Sequence, residues 1–406
     1  MNTRLLLLAA IATAATLISA CSGKSATPQP TAVQLKTTEV PSPPLPPIPP
    51  PPTVAARGYI LMDAANGQVL AANNDNAPLE PASLTKIMTA YAVFDALRSG
   101  SLKLDDKVTI SEHAWRIGGA ATEGSTSFLP VHSQVPVQVL LQGMIVQSGN
   151  DASIALAERV AGSEDAFASL MNSYAKRLGM AATHFENSTG LPSANHRSTA
   201  HDMALLATAI IRDFPQYYPT FAERQFTYNG IPQHNRNGLL DRDPSVDGLK
   251  TGHTDGAGFC LVSSAKRDSM RLVSVVMGTK SVKDREDASM ALLNYGFGFF
   301  ESKQLYAAGQ SLGTLRVWQG NGNELNVGVA RDAVVTVPRG RGTLVQTKLE
   351  LPQSVVAPVD HATSIGKVSF VLEGKELASQ PLYPLTDVAQ AGFLGRMFDS
   401  VRMKFE

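Results

Sequence analysis

The run Pro41-Ser42-Pro43-Pro44-Leu45-Pro46-Pro47-Ile48-Pro49-Pro50-Pro51-Pro52 cannot enter a helix or a central strand, because each proline fixes φ and lacks a backbone N–H. It closes a Pro-, Ser- and Thr-rich segment that starts at Ser22, and such a composition makes an extended, semi-rigid spacer. A stalk is favoured here over a ligand for a proline-recognising domain. Before it come Arg4, an apolar stretch from Leu5 to Leu17 and the small residues Ser19 and Ala20. That is the layout of a secretory signal, too short for a spanning helix and interrupted by Thr13 and Thr16. The folded body must therefore lie beyond Thr53.

A chain of 406 residues exceeds what one hydrophobic core usually serves, so two or more domains are expected. The formal net charge is zero and no long Lys/Arg run is present, which argues against nucleic acid as a partner. Cys21 and Cys260, the two cysteines, can build neither a disulfide framework nor a cysteine metal site, and no cofactor is expected. Ile18-Ser19-Ala20-Cys21 resembles the bacterial lipobox, which implies a lipid on Cys21 and attachment to a membrane surface.

Along the folded part, Gly58 to Asp63 and Gln68 to Ala72 read as a hairpin turned at Asn66-Gly67. A helix starting near Ser83 runs to about Leu97, apolar on most of its surface and so central. Ser148-Gly149-Asn150-Asp151 joins two apolar helical segments, with Gly149 as the expected C-cap and Asp151 capping the next helix. A further helix covers about Glu164 to Leu178. Ser198 or Thr199 caps another that carries His201 and Asp202, while His184 and His196 read as hydrogen-bonded loop residues. Asp247 to Thr254, Phe259 to Ser264 and Arg271 to Met277 read as consecutive antiparallel strands, with Cys260 a small buried apolar residue. Short β-type runs between Leu305 and Leu382 suggest a small β-sandwich. At the end, Phe393, Leu394, Met397, Phe398, Val401 and Phe405 share one helical stripe. It either docks on the β-domain or lies in a membrane interface, with Lys404 at its edge.

Three motifs carry chemistry. Ser83-Leu84-Thr85-Lys86 puts a hydroxyl and an amine one helical turn apart, and a partly desolvated amine can take a serine proton. Ser148-Gly149-Asn150 and Lys250-Thr251-Gly252 follow in order. The set is shared by β-lactamases and penicillin-binding proteins. The wording around it, Pro81 to Thr89, Gln147 to Ala152 and Gly248 to Thr254, closely resembles the low-molecular-mass D-alanyl-D-alanine carboxypeptidases, over about Ala55 to Gln380.

The resemblance implies an α/β (α+β) fold. An antiparallel sheet is flanked by helices and a helical cluster (54–302), followed by the β-sandwich (303–384) and an amphipathic terminal helix (385–406). The signal (1–20) and the linker (21–53) precede them. It also implies roles. Ser83 attacks the carbonyl between two D-alanines of a peptidoglycan stem peptide and is acylated by β-lactam antibiotics. Lys86 is the base, Ser148 relays a proton, and Asn150 orients Lys86 or the substrate. Lys250, Thr251 and Arg285 hold the terminal carboxylate, Gly252 admits the substrate backbone, and the amides of Ser83 and His253 form the oxyanion hole. A periplasmic, membrane-attached carboxypeptidase is expected. The alternatives are a D,D-endopeptidase, a β-lactamase or a wall-binding scaffold. No identifiable motif supplies the deacylating glutamate of class A β-lactamases.

Overall fold

The computed structural model describes residues 31–34, 47–119 and 124–403. The signal segment, Cys21, most of the proline-rich segment, Lys404 and Phe405 lie outside the described residues. A strand β1 (Thr31–Gln34) precedes the first domain. There the hairpin of β2 (Gly58–Asp63) and β3 (Val69–Asn73) turns as expected at Gly67, whose φ of 75° suits glycine. The chain then forms a 3-10 turn (Ala82–Thr85) and α1 (Lys86–Arg98). A two-stranded ladder of β4 (Lys107–Thr109) and β5 (Gln134–Pro136) encloses α2 (Glu112–Gly118). After it come α3 (Val137–Gln142), α4 (Asn150–Ala161), α5 (Glu164–Arg177) and α6 (Ala200–Asp213). A hairpin of β6 (Gln225–Tyr228) and β7 (Ile231–His234) and the short α7 (Leu239–Arg242) lead into β8 (Val246–Thr254), β9 (Gly258–Arg267), β10 (Met270–Thr279) and α8 (Val282–Phe299).

The central sheet has the order β3-β2-β10-β9-β8, antiparallel throughout, so its two halves come from the two ends of the domain. Strand alternation gives it two apolar faces. Ile60, Met62, Val262, Val273 and Val275 meet the helical cluster, while Leu61, Leu261, Leu272 and Val276 meet Leu292 and Leu293 of α8. Helix α1 runs through the cluster buried on all sides, from Lys86 to Phe94 without interruption. The end of the proline run is not a free spacer. Ile48 and Val54 pack on the α8 side of the sheet, and the Tyr295 hydroxyl donates to the Pro49 carbonyl at 3.1 Å.

The second domain is β-rich: β11 (Phe300–Tyr306), β12 (Ser311–Trp318), β13 (Glu324–Val329), β14 (Ala333–Pro338), β15 (Gln346–Leu351), β16 (Ser354–Val356), β17 (Gly366–Leu372) and β18 (Lys375–Pro384). A seven-stranded sheet, β1-β15-β17-β18-β13-β12-β16, is accompanied by a β11–β14 ladder. The buried Asp63 of β2 ties the domains together. Its carboxylate accepts from the Thr336 hydroxyl at 2.7 Å and from Ser302, while the Asn66 side chain donates to Thr336 at 2.8 Å. Helix α9 (Phe393–Arg402) lays its polar face on β12: Asp399 accepts from the Gln319 amide at 2.6 Å, and the Gln319 side chain donates to Ser400 at 2.9 Å. Its apolar stripe stays in solvent, with Phe393 73% and Phe398 66% exposed. No described helix is long and apolar enough to cross a membrane.

Removing the Asp63 carboxylate takes away the acceptor of two O–H donors, those of the buried Thr336 and the half-buried Ser302. Asp63→Ala is therefore expected to cost about 1–3 kcal/mol of stability, read as a lower denaturant midpoint.

Candidate active site

Ser83 lies in the 3-10 turn ahead of α1, not in the first turn of α1 itself. Ala82 takes a left-handed φ of 47°, and Gly190 is pressed against it. A Cβ on Gly190 would stand 1.8 Å from the Ala82 carbonyl oxygen, and its own φ is 83°, so only glycine fits. Within the turn Ser83 is only partly covered, whereas Ala82, Leu84 and Thr85 are buried. Thr85 is held from behind by His196, whose ring reaches the Thr85 hydroxyl at 2.9 Å and accepts from the Glu186 amide at 3.1 Å. That histidine is a hydrogen-bonded loop residue, as expected, though buried, and burial lowers it to about 4.

The three-residue spacing delivers the expected contact. Lys86 is 0% exposed, and its amine lies 2.9 Å from the Ser83 hydroxyl, 2.8 Å from Asn150 Oδ1 and 2.6 Å from the Thr189 carbonyl. Burial lowers its pKa to about 7, with the charge of Arg236 acting in the same direction and those of Asp151 and Glu164 opposing it. The amine is thus divided between its two forms near neutral pH. As an ammonium it donates to all three oxygens. As a neutral amine it gives its two N–H groups to Asn150 and Thr189, and its lone pair is left for the Ser83 proton.

Asn150 is set by an unusual helix junction. The last turn of α3 widens into a π-turn (Gly143–Gln147), and Ser148, not Gly149, takes the left-handed cap with φ 69°. The Gly149 amide returns to the Gly143 carbonyl at 3.0 Å, and α4 starts at Asn150. The Ser148 hydroxyl is buried without a partner among the described residues. Asp151 does more than serve the start of its own helix: its carboxylate accepts from the Ala152 amide at 2.9 Å, and also from the Ser127 and Leu129 amides at 2.8 and 3.1 Å and from the Thr126 hydroxyl at 2.9 Å. It binds the 126–129 segment to the catalytic helix junction, while Asn150 N donates to the Ser125 carbonyl at 2.8 Å.

The third motif lies on β8, at the edge of the sheet. Lys250 and Thr251 are buried, and burial holds the Lys250 amine well below its ordinary value, assisted by Lys86, Arg236 and Arg285. Gly252 has a structural part beside the one the resemblance implies. A Cβ there would meet the Pro81 carbonyl at 3.0 Å and the Ser83 amide nitrogen at 3.2 Å, so the missing side chain lets the strand lie against the Ser83 turn. The His253 ring points into solvent and stacks on Phe259, with centroids 4.0 Å apart. Arg285, in the first turn of α8, is buried and reaches the Gly252 carbonyl at 3.5 Å and the Arg236 carbonyl at 3.3 Å.

Sequence reading missed Arg236 and the Thr189 carbonyl. Arg236 sits exposed between β7 and α7 with no motif around it, yet its charge acts on Lys86, Lys250 and Arg285 together. Thr189 acts through its backbone, which leaves no residue-type signal. Cys21 lies outside the described residues.

Comparison with known proteins agrees with this geometry. The family model for D-alanyl-D-alanine carboxypeptidase matches residues 46–281, and that for the C-terminal domain of penicillin-binding protein 5 matches residues 300–390. The D-alanyl-D-alanine carboxypeptidase DacC of Escherichia coli (strain K12) is 45% identical over 357 residues, covering 87% of this chain and 89% of the relative. The crystal structure of penicillin-binding protein 5 from Haemophilus influenzae superposes with a TM-score of 0.79 at 42% identity, covering 84% of this chain and 99% of the other. Penicillin-binding protein D2 of Listeria monocytogenes, in its ampicillin-bound form, has a TM-score of 0.54 at 29% identity and covers 61% of this chain and all of its own. With a buried lysine on a serine in the first domain and a matching β-rich second domain, the chain belongs to the D-alanyl-D-alanine carboxypeptidase family of serine peptidases.

Proposed function

We propose that this protein removes the terminal D-alanine from peptidoglycan stem peptides through an acyl-enzyme on Ser83, which penicillin forms as a substrate mimic. The observation that carries this reading is the buried Lys86 amine, lowered to about 7 and 2.9 Å from the Ser83 hydroxyl. Neutral Lys86 takes the Ser83 proton as the oxygen attacks the carbonyl between the two D-alanines. The Ser148 hydroxyl, buried and unpartnered, passes a proton to the leaving amine. The developing oxyanion lies between the amides of Ser83 and His253, which Gly252 brings together by letting β8 approach the turn. Lys250, Thr251, Arg236 and Arg285 receive the terminal carboxylate. Deacylation uses the same groups in reverse, with Lys86 or Ser148 activating water.

We place the enzyme in the periplasm on a membrane surface. The support is the apolar stripe of α9, exposed while its polar face is fixed on β12. A lipid on Cys21 supplies a second anchor in this reading.

Mass spectrometry with penicillin is expected to show one adduct on Ser83 and none in Ser83→Ala, and D-alanine release is lost with it. Cleavage of intact cross-linked dimers by the purified enzyme would replace the carboxypeptidase reading with the endopeptidase one, and rapid turnover of labelled penicillin would point to a β-lactamase. Because the reacting form of Lys86 is the unprotonated one, the acylation rate rises with pH through an inflection near 7. A rate independent of pH between about 5 and 9 would remove Lys86 from the role of base. Deleting residues 393–406 is expected to leave a lipidated protein on membranes, and full release into the soluble fraction would exclude the lipid on Cys21.

A further inference from the structure

The Thr189 carbonyl does more than occupy space beside Lys86. With Asn150 it fills both N–H positions of the neutral amine and so aims the lone pair at Ser83. The loop that carries it is held at two points. Asn187 accepts from the Thr189 amide at 3.2 Å, the Thr189 hydroxyl at 2.9 Å and the Gly190 amide at 2.7 Å, which closes the loop on itself. Its attachment to the rest of the domain runs through Ser188, which is 0% exposed. The Ser188 carbonyl accepts from Thr89 on α1 at 2.7 Å and from Ser153 on α4 at 2.8 Å. Its amide and hydroxyl both donate to one oxygen of Glu164, the first residue of α5, at 3.0 and 2.6 Å. The other Glu164 oxygen faces His113 of α2 at 3.2 Å.

We propose that Glu164 is a positioning residue of the Ser83 reaction: by gripping Ser188 it fixes the Thr189 carbonyl on the Lys86 amine. Its negative charge also favours the protonated form of that amine. The inference rests on the reading of Lys86 as the base. Glu164 lies outside the three motifs and acts only through the loop and its charge. Two anions oppose the lowering of Lys86, Asp151 from α4 and Glu164 from α5. The cation acting the other way is Arg236 from the loop after β7, while Lys250 of β8 is itself lowered by the charge of Lys86. His196, behind Thr85, also senses the Lys86 charge. On the far side of Glu164 the titratable neighbour is His113.

The two contributions separate by substitution. Glutamine at 164 keeps an oxygen for the Ser188 donors and removes the charge, so less opposes burial and the Lys86 pKa falls further. Alanine removes both. Purified full-length protein carrying Glu164→Gln or Glu164→Ala is compared with wild type in two measurements: the rate of Ser83 acylation by penicillin against pH, and the titration of Lys86 by NMR of 13C-labelled lysine. For Glu164→Gln the Lys86 titration and the acylation inflection are both expected to move down by roughly half a pH unit, with the plateau rate within about twofold of wild type. For Glu164→Ala the plateau is expected to fall roughly tenfold or more, as a displaced catalytic group would cause, with circular dichroism and thermal melting confirming that the variant is folded. Recovery of the plateau by glutamine but not alanine marks the positioning role. An unmoved Lys86 titration in Glu164→Gln, or a normal plateau in folded Glu164→Ala, overturns the proposal. A Lys86 titration that moves while the acylation inflection does not would leave the Glu164–Lys86 link standing and remove Lys86 as the base.

Discussion

A lysine amine held away from water is the condition on which the rest of this protein depends. An ammonium in an apolar interior is costly, and here burial brings the pKa of Lys86 down to about 7 without leaving the group unbonded. The helix that carries it must therefore run through the middle of a domain, which explains why α1 has no polar face. The groups that satisfy the amine come from the 3-10 turn, the start of α4 and the 187–190 loop, so three separate pieces of chain must arrive at one point. Much of the local peculiarity follows from that convergence. Ala82 and Ser148 take left-handed backbone conformations next to the reacting residues, and Gly190 packs where no side chain would fit.

Around this centre the cleft is positive. Burial shifts Lys250, Arg236 and Arg285 in the direction that disfavours each cation, and the charge of Arg236 adds to the shift of the other two. Gathering them is unfavourable in the resting protein. It becomes useful when a carboxylate enters, because every cation then gains a counter-charge at low dielectric. The same arrangement bears on Lys86, whose pKa Arg236 helps lower while Asp151 and Glu164 oppose the fall.

The architecture was legible where local pattern and final structure agree. The Asn66-Gly67 turn, the apolar α1 and the three strands β8 to β10 were all readable from spacing, as was the capping of α6 by Thr199, whose hydroxyl accepts from the Asp202 amide at 3.0 Å. Ser83, Lys86 and Asn150 were visible as motif residues, and the structure brings them within hydrogen-bond distance. What could not be read is what depends on a third element. Ser148, not Gly149, takes the left-handed cap, because the π-turn before it shifts the register by a residue. Asp151 accepts from its own helix at Ala152, and it also grips a segment more than twenty residues earlier, which no local pattern announces. Gly252 serves the turn beside it, a neighbour that no spacing along β8 announces. Arg236 and the Thr189 carbonyl belong to no pattern of residue types.

The seating of Ile48 and the bond from Tyr295 to the Pro49 carbonyl have a mechanical consequence. Tension transmitted along the chain from the N-terminal side meets the body on the α8 side of the sheet, while the Ser83 turn and its helices occupy the other side. A displacement entering there meets α8 and the five-stranded sheet before it reaches Ser83 and Lys86. Lys86 and Ser83 are thereby separated by the whole sheet from the point where residues 48–54 meet the domain.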